Sequence, residues 1–367
     1  MHKATLLLLS CAPALAQPPP QDCSALPRDA FAPLTLFNSK GLALSVLPYG
    51  GTAQRLIVPL KTGPPIDVLL GFDSPEWYCS GGPTLQHPYF GALIGRVANR
   101  IAKCSFTLGS SVYHTPCNEH SAATGQNDTL HGGTVGYDRR VWSVTARSAA
   151  SATLELVSLD GEEGFPSDLH LRVVYTVTEP PQGAGAGELG AWDLTWSITN
   201  AGALPTPAAP TQHAYFMLSG FRGGEETVLA HTLRLANASR YEEIDAGLIP
   251  TGRLIDVASQ PWMDFTGPAR AVGADFPLPS GAAGYDNAWV FSGPPTARAF
   301  APQAELQAPS VGLRMVTWTD APSVQVYTGN FLSASGPTAV AKKRSQMSPG
   351  GSENYEQHSA ITFETQR

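Results

Sequence analysis

The side chains able to do chemistry in this 367-residue chain sit in a few short words. His213 stands in His213-Ala214-Tyr215-Phe216, His131 follows Leu130 and precedes Gly132-Gly133, and Glu364 lies in Phe363-Glu364-Thr365-Gln366. Imidazoles and carboxyls carry general acid and base catalysis, each step being worth about 10²–10⁴-fold. A lone histidine is by default a hydrogen-bonded structural side chain, so the words around these residues decide their reading. Two other groupings suggest different chemistry and fail on spacing. Glu162-Glu163 offers two carboxylates, but adjacent residues point apart on a strand and cannot flank one glycosidic bond. His114, Cys117 and His120 carry donors suited to zinc, yet a metal site needs a fourth ligand and converging geometry, so this spacing is taken as coincidence. Neither a GxGxxG after a strand nor a P-loop is present. A net charge of −7, with only the short basic run Lys342-Lys343-Arg344, leaves no phosphate-neutralising surface for nucleic acid.

The run Tyr89-Phe90-Gly91-Ala92-Leu93-Ile94-Gly95-Arg96-Val97-Ala98-Asn99-Arg100-Ile101 is followed by Leu130-His131-Gly132-Gly133 and Asp160-Gly161-Glu162-Glu163-Gly164-Phe165-Pro166. His213-Ala214-Tyr215-Phe216, Leu248-Ile249-Pro250-Thr251-Gly252, Tyr285-Asp286-Asn287, Val324 to Leu332 and Phe363-Glu364-Thr365-Gln366 then come in order. From roughly Phe31 to Arg367 the chain thus resembles the aldose 1-epimerase family, also called galactose mutarotases. The resemblance implies interconversion of the α and β anomers of free hexoses such as galactose and glucose. That chemistry removes the C1 hydroxyl proton, protonates the ring oxygen, opens the ring, rotates the aldehyde and recloses on the other face. One base and one acid on opposite sides suffice, and no metal, nucleotide or other cofactor is expected. By the resemblance Glu364 is the base, His213 the acid at the ring oxygen, and His131 a second histidine that hydrogen-bonds the sugar and stabilises charge. Asn99, Arg100, Tyr215, Asp286 and Gln325 match sugar-contacting positions, and their types suit a polyol. Arg96 is left with a structural role. Asp286 on its own would be an ordinary turn residue before Asn287. The alternative function is a catalytically impaired extracellular carbohydrate-binding protein of the same fold. A hexose-6-phosphate epimerase would want a cationic phosphate clamp.

Positioning such residues takes a scaffold, and composition restricts its kind. Hydrophobic residues make up 43% and charged residues 14% of the chain, enough for a large core, while 36 Gly and 32 Pro leave little room for long helices. Strand-like runs recur at Leu42 to Leu47, Ile66 to Leu70, Ala152 to Val157, Leu169 to Val177, Trp192 to Thr199, Thr232 to Leu235, Leu313 to Thr319, Val324 to Thr328 and Ala360 to Thr365. Many alternate apolar with polar residues, as strands with one buried face do. The expected fold class is all-β, a large antiparallel β-sandwich, and the resemblance makes it the galactose mutarotase type. Gln17 to Pro33, Glu179 to Gly190, Ser292 to Pro309 and Ser333 to Ser352 are expected loops. Trp192 and Trp196 are expected in the core rather than as sugar platforms.

Residues 1–16 are expected to be a secretory signal peptide, with a basic start, an apolar Ala4–Leu15 stretch and a small-x-small cleavage pattern at Ala14-Leu15-Ala16. Residues 17–30 are expected to be disordered, and 31–367 to form the β-sandwich domain of a secreted protein with no membrane association after cleavage. Cys23, Cys79, Cys104 and Cys117 then remain, with three possible pairings. Cys104 and Cys117 face each other if the hairpin between them turns at Ser110-Ser111; a turn at Gly109-Ser110 would slip the register, and four free thiols are the alternative. Of the sequons at Asn127 and Asn237, only the second is expected to carry a glycan, because Asn127 lies four residues before His131. The Ser/Pro/Gly-rich stretch between Leu332 and Glu364 is expected to reshape the rim of the cleft. The chain ends three residues after Glu364, where similar proteins continue with further strands. Glu364 is therefore expected to be loosely held and catalysis weak.

Overall fold

The Leu169–Thr178 strand shows how this sequence becomes a sheet: Leu169, Leu171, Val173, Tyr175 and Val177 are buried, while His170 and Arg172 face out. Each fully buried side chain of this size contributes about 1.5–3 kcal/mol, so the alternation fixes which face turns inward. The computed structural model describes residues 22–82, 86–185, 187–292 and 301–366; the expected signal peptide lies outside them. Leu169–Thr178 pairs antiparallel with Ser151–Ser158 on one side and Ala191–Asn200 on the other, and Ser143–Arg147 completes that four-stranded sheet. A second four-stranded sheet holds Leu34–Phe37, Ala43–Leu47, Thr52–Val58 and Ile66–Asp67. A six-stranded sheet runs in the order Tyr215–Phe216, Ile361–Gln366, Ser323–Tyr327, Asp286–Val290, Arg240–Ile244, Pro250–Asp256. One apolar core from Ala30 to Phe363 joins these layers into an antiparallel β-sandwich. Among the described residues the α-helix is limited to Trp77–Ser80. Trp192 and Trp196 pack against the core, beside Tyr175 and Trp142.

Three expectations change. Within the segment expected to be disordered, Cys23–Ala25 and Arg28–Phe31 form 3-10 turns, because a Cys23–Cys79 disulfide and the burial of Ala30 and Phe31 tie them down. The hairpin turns at Gly109-Ser110, with Leu108 opposite Ser111, and the Cys104–Cys117 disulfide forms nonetheless. The bridge lies outside the ladder: the Thr115 N–H donates to the Cys104 carbonyl, and left-handed Lys103 and Cys104 swing the chain so that Cys117 still comes within reach. Among the described residues all four cysteines are bridged, so Cys117 is not available to a metal. Ala301–Ala308, inside an expected loop, is a strand between Thr232–Leu235 and Leu313–Thr319. It is stabilised by buried Ala304, Leu306 and Ala308, and Pro302 sits at the register shift, where a missing N–H is tolerated. Within the Ser333–Ser352 stretch, Lys343 and Gln346 anchor the chain to Gln54, Asp67 and Leu69. Lys343 is fully buried there, its Nζ donating to the Asp67 carboxylate and the Leu69 carbonyl at 2.9 Å, and to the Gln54 carbonyl.

Candidate active site

Register on the six-stranded sheet gathers the polar residues on one face. Gln325 lies opposite Glu364, Tyr327 opposite Thr362 and Asp286, and Tyr215 opposite Thr362. Cross-strand partners share a face, so Tyr215, Thr362, Glu364, Gln325, Tyr327 and Asp286 project together. Glu364 is not frayed. The Ser323–Tyr327 strand pairs with its strand as far as Gln366, the Thr211 hydroxyl donates to the Thr365 carbonyl, and the Ser323 hydroxyl donates to the Gln366 carbonyl. The side chain of Gln366 accepts from Asn99 at 3.2 Å. These bonds hold the carboxyl firmly where looseness was expected; the Arg367 terminus lies outside the described residues.

His213 bridges two short ladders, Thr211–Gln212 with Leu93–Ile94 and Tyr215–Phe216 with Ile361–Thr362. Its N–H donates to the Ala92 carbonyl and its carbonyl accepts from Gly91, which anchors the residue between them. His131 ends the Asn127–Leu130 strand, paired to Arg100–Ala102. It exchanges hydrogen bonds with Asn99: the His131 N–H reaches the Asn99 carbonyl, and the Asn99 N–H donates to His131 Nδ1 at 3.2 Å. Because Nδ1 accepts, the ring proton of neutral His131 is on Nε2. Tyr89, Asn99 and His131 all have left-handed φ, 60°, 57° and 52°, a concentration of backbone strain typical of functional sites. Gly132 permits the close approach that this needs, since a Cβ there would lie 1.9 Å from the Gly95 carbonyl oxygen.

At the centre, His213 Nε2 is 3.3 Å from Glu364 Oε1. The pair stand in contact, closer together than the opposite-sided base and acid expected for the ring-opening chemistry. Thr362 Oγ1 donates to Glu364 Oε1 at 3.2 Å, while Glu364 Oε2 and His213 Nδ1 are buried without protein partners. The His131 ring meets that of His213 edge-on at 5.2 Å, and Tyr89 packs edge-on against His131 at 4.7 Å. Asp286 accepts from Gln325 Nε2 at 2.7 Å. Arg100 is gripped by Glu119, Nε to Oε2 at 2.7 Å and Nη2 to Oε1 at 2.8 Å. Tyr215 stacks on His213 at 4.9 Å. The structure thus brings Glu364, His213, His131, Asn99, Arg100, Tyr215, Asp286 and Gln325 into one connected cluster. Arg96 instead donates five hydrogen bonds to Ser158 Oγ, Thr206 Oγ1 and the carbonyls of Ser158, Leu159 and Pro166, a structural role.

Burial sets the protonation. The Glu364 carboxyl is pushed up to about 8, first by desolvation and then by the nearby Asp286 charge. His213 is pulled down to about 4 by desolvation, and His131 falls well below the usual imidazole range through desolvation and the charges of His213 and Arg100. At neutral pH the Glu364–His213 pair therefore holds one proton, resting on the carboxyl. A buried carboxylic acid beside a buried neutral imidazole can pass that proton between them, which suits acid and base catalysis. Sequence reading missed Glu119 and Tyr89. Glu119 belongs to no motif, and its relation to Arg100 exists only once the two strands are brought together; Tyr89 opened a quoted run without being singled out.

A family profile described as Aldose 1-epimerase matches residues 33–367. The chain is 32% identical to a probable aldose 1-epimerase of Arthroderma benhamiae, over 91% of this chain and 79% of that protein. It is 31% identical to the galactose mutarotase of Mus musculus (90% and 83% covered) and 32% identical to the aldose 1-epimerase of Escherichia coli (82% and 79%). In fold it is similar to the crystal structure of the GalM/aldose epimerase homologue from C. elegans. That match has a TM-score of 0.72 at 24% identity, covering 91% and 89% of the two chains.

Proposed function

The chain belongs to the aldose 1-epimerase family and is an isomerase, and we propose that it interconverts the anomers of free hexoses such as galactose and glucose, with Glu364 and His213 as the proton-transfer pair. The observation that carries the roles is the 3.3 Å contact between two buried titratable groups, each with one polar atom left unpartnered. The sugar's O1 and ring O5 share carbon C1, so neighbouring groups can serve both. Sugar hydroxyls that donate to the Glu364 carboxyl stabilise its ionised form, and the shared proton then moves to His213. From that state Glu364 accepts the O1 proton and His213 gives its proton to O5 as the C1–O5 bond breaks. The product is the open aldehyde with a C5 hydroxyl. After rotation about C1–C2, O5 attacks the other face of C1, returning its proton to His213 while Glu364 returns one to O1, so no proton is consumed.

His131, with its proton on Nε2, is the donor that steadies charge on the oxygens during opening. Arg100, Asn99, Asp286, Gln325 and Tyr215 hold the hydroxyls. The binding-only alternative is not favoured, because both titratable partners and the second histidine are present and convergent. Secretion stays part of the proposal, supported by the leader-like start and by two disulfides, which persist in oxidising compartments. Polarimetry of freshly dissolved α-galactose and α-glucose tests the function: a rate of approach to equilibrium no faster than in buffer would refute it.

A further inference from the structure

Between the cysteine bridge and the sugar cluster lies a three-residue segment, Cys117-Asn118-Glu119, that the mechanism has not used. Adjacent side chains of an extended chain leave on opposite sides, so neighbours can serve two different targets. Asn118 turns to the His131 loop. Its Oδ1 accepts from the Leu130 N–H at 2.7 Å, and its Nδ2 donates to the carbonyls of Leu130 at 3.0 Å and Gly133 at 2.8 Å. The side-chain amide therefore brackets His131 from the residue before it to the second residue after it. Glu119 turns to Arg100 and grips Nε and Nη2 in a two-pronged, charge-assisted pair, with both side chains only 7% exposed. Nη1 is the guanidinium nitrogen that Glu119 does not engage.

What holds the segment itself is local. Glu119 lies opposite Asp128 in a two-residue ladder. Immediately before it, the Thr129 hydroxyl donates to the Pro116 carbonyl and so receives the proton of Thr115 Oγ1 at 2.6 Å. The covalent fastening is Cys117 to Cys104, the latter four residues beyond Arg100. Each bridge has one buried cysteine, Cys104 here and Cys79 in the other; the second member, Cys117, is exposed here, while Cys23 of the other bridge is half-buried.

We propose that Asn118 and Glu119 are positioning residues for His131 and Arg100, and that the Cys104–Cys117 disulfide, by fastening them, makes sugar turnover sensitive to thiol reductants. This rests on the mutarotase reading. A dithiol would deliver two electrons and two protons to the bridge, becoming a disulfide itself and leaving two thiols at Cys104 and Cys117. The segment then loses its covalent tie and is held by its ladder, the threonine bonds and the side-chain bonds of Asn118 and Glu119 alone.

The experiment is steady-state polarimetry of the full chain on α-galactose, well below the melting temperature. Glu119→Gln keeps the shape but surrenders the ion pair. It should raise KM about tenfold, the loss of one charge-assisted hydrogen bond, with kcat changed by less than about threefold. Glu119→Asp, which keeps the charge, should recover part of that loss, a rescue that a merely structural side chain would not show. Asn118→Ala should act mainly on kcat through His131. Cys104→Ser/Cys117→Ser should lose about tenfold or more in kcat/KM, and Cys23→Ser/Cys79→Ser should keep it. Full kcat/KM in the Cys104/Cys117 variant, or an unchanged KM in Glu119→Gln, would overturn the proposal; if the double serine variant does not fold, the Glu119 pair decides. A wild-type protein inactive in polarimetry would sink the mutarotase reading instead. The brace would then be judged from galactose Kd, and equal values for Glu119→Gln and wild type would refute it.

Discussion

Glu364→Gln should make the protein inactive and, at neutral pH, more stable. The side chain is 2% exposed and its carboxyl is held near 8, against 4.5 for a free glutamate. Folding at pH 7 thus forces a group that is ionised in the unfolded chain to take up a proton. A folded-state pKa above the unfolded one means the native state binds more protons between the two values, so stability falls as pH rises through that window. At about 1.4 kcal/mol per unit, the cost is roughly 3 kcal/mol at pH 7, under about 1 kcal/mol at pH 5 and close to nothing at pH 4. Glutamine occupies the same volume, cannot ionise and avoids that cost, while proton transfer at this position is lost and kcat falls about 10²–10⁴-fold. Urea unfolding of the wild type and the variant at pH 4, 5 and 7, with polarimetry alongside, measures both effects. The stability gap should open from near zero at pH 4 to about 3 kcal/mol at pH 7. A variant less stable than the wild type at pH 7, or a gap that does not change with pH, would show that the carboxyl is comfortably ionised in the fold and would refute the protonation scheme.

Because catalysis needs one proton on the pair, kcat/KM should trace a bell between flanks near 4 and 8 that belong to the pair jointly. Below the acid flank no base remains and above the alkaline flank no acid remains; a profile flat from pH 4 to 9 would contradict the roles. Lys343→Ala should destabilise the fold by about 3–5 kcal/mol by stranding the buried Asp67 carboxylate. Its kcat should stay normal below the melting transition, and a urea midpoint equal to wild type would contradict the buried anchor. In a glycosylating host, glycopeptide mass spectrometry should find Asn237 occupied and Asn127 largely bare. Both side chains are exposed, but Asn237 sits in a turn, whereas the side-chain Oδ1 of Asn127, the amide to be modified, is bonded to His120 Nδ1 at 2.7 Å in the sheet that leads to His131. Full occupancy of Asn127 in an active protein would contradict that placement.

Local pattern was enough for what depends on local pattern. Alternation from Leu169 to Val177 and from Thr232 to Leu235 made those strands legible, because an apolar face two residues in period has nowhere to go but a core. The words around His213, His131 and Glu364 were legible because they resemble a family's words, which is a likeness of text and says nothing of distance. Ala301–Ala308 stayed hidden: alanine, glutamine and proline carry little strand signal, and its pairing with two flanking strands supplies the stability that its own composition lacks. The turn at Gly109-Ser110, the grip of Glu119 on Arg100 and the bracket of Asn118 around His131 each join residues through a bend of the chain, which one-dimensional spacing does not encode. Protonation was the furthest from the sequence. Glu364 is an ordinary carboxyl and His213 an ordinary imidazole until the six-stranded sheet and the His213 segment close over them, and the removal of water by that closure drives one pKa up and the other down.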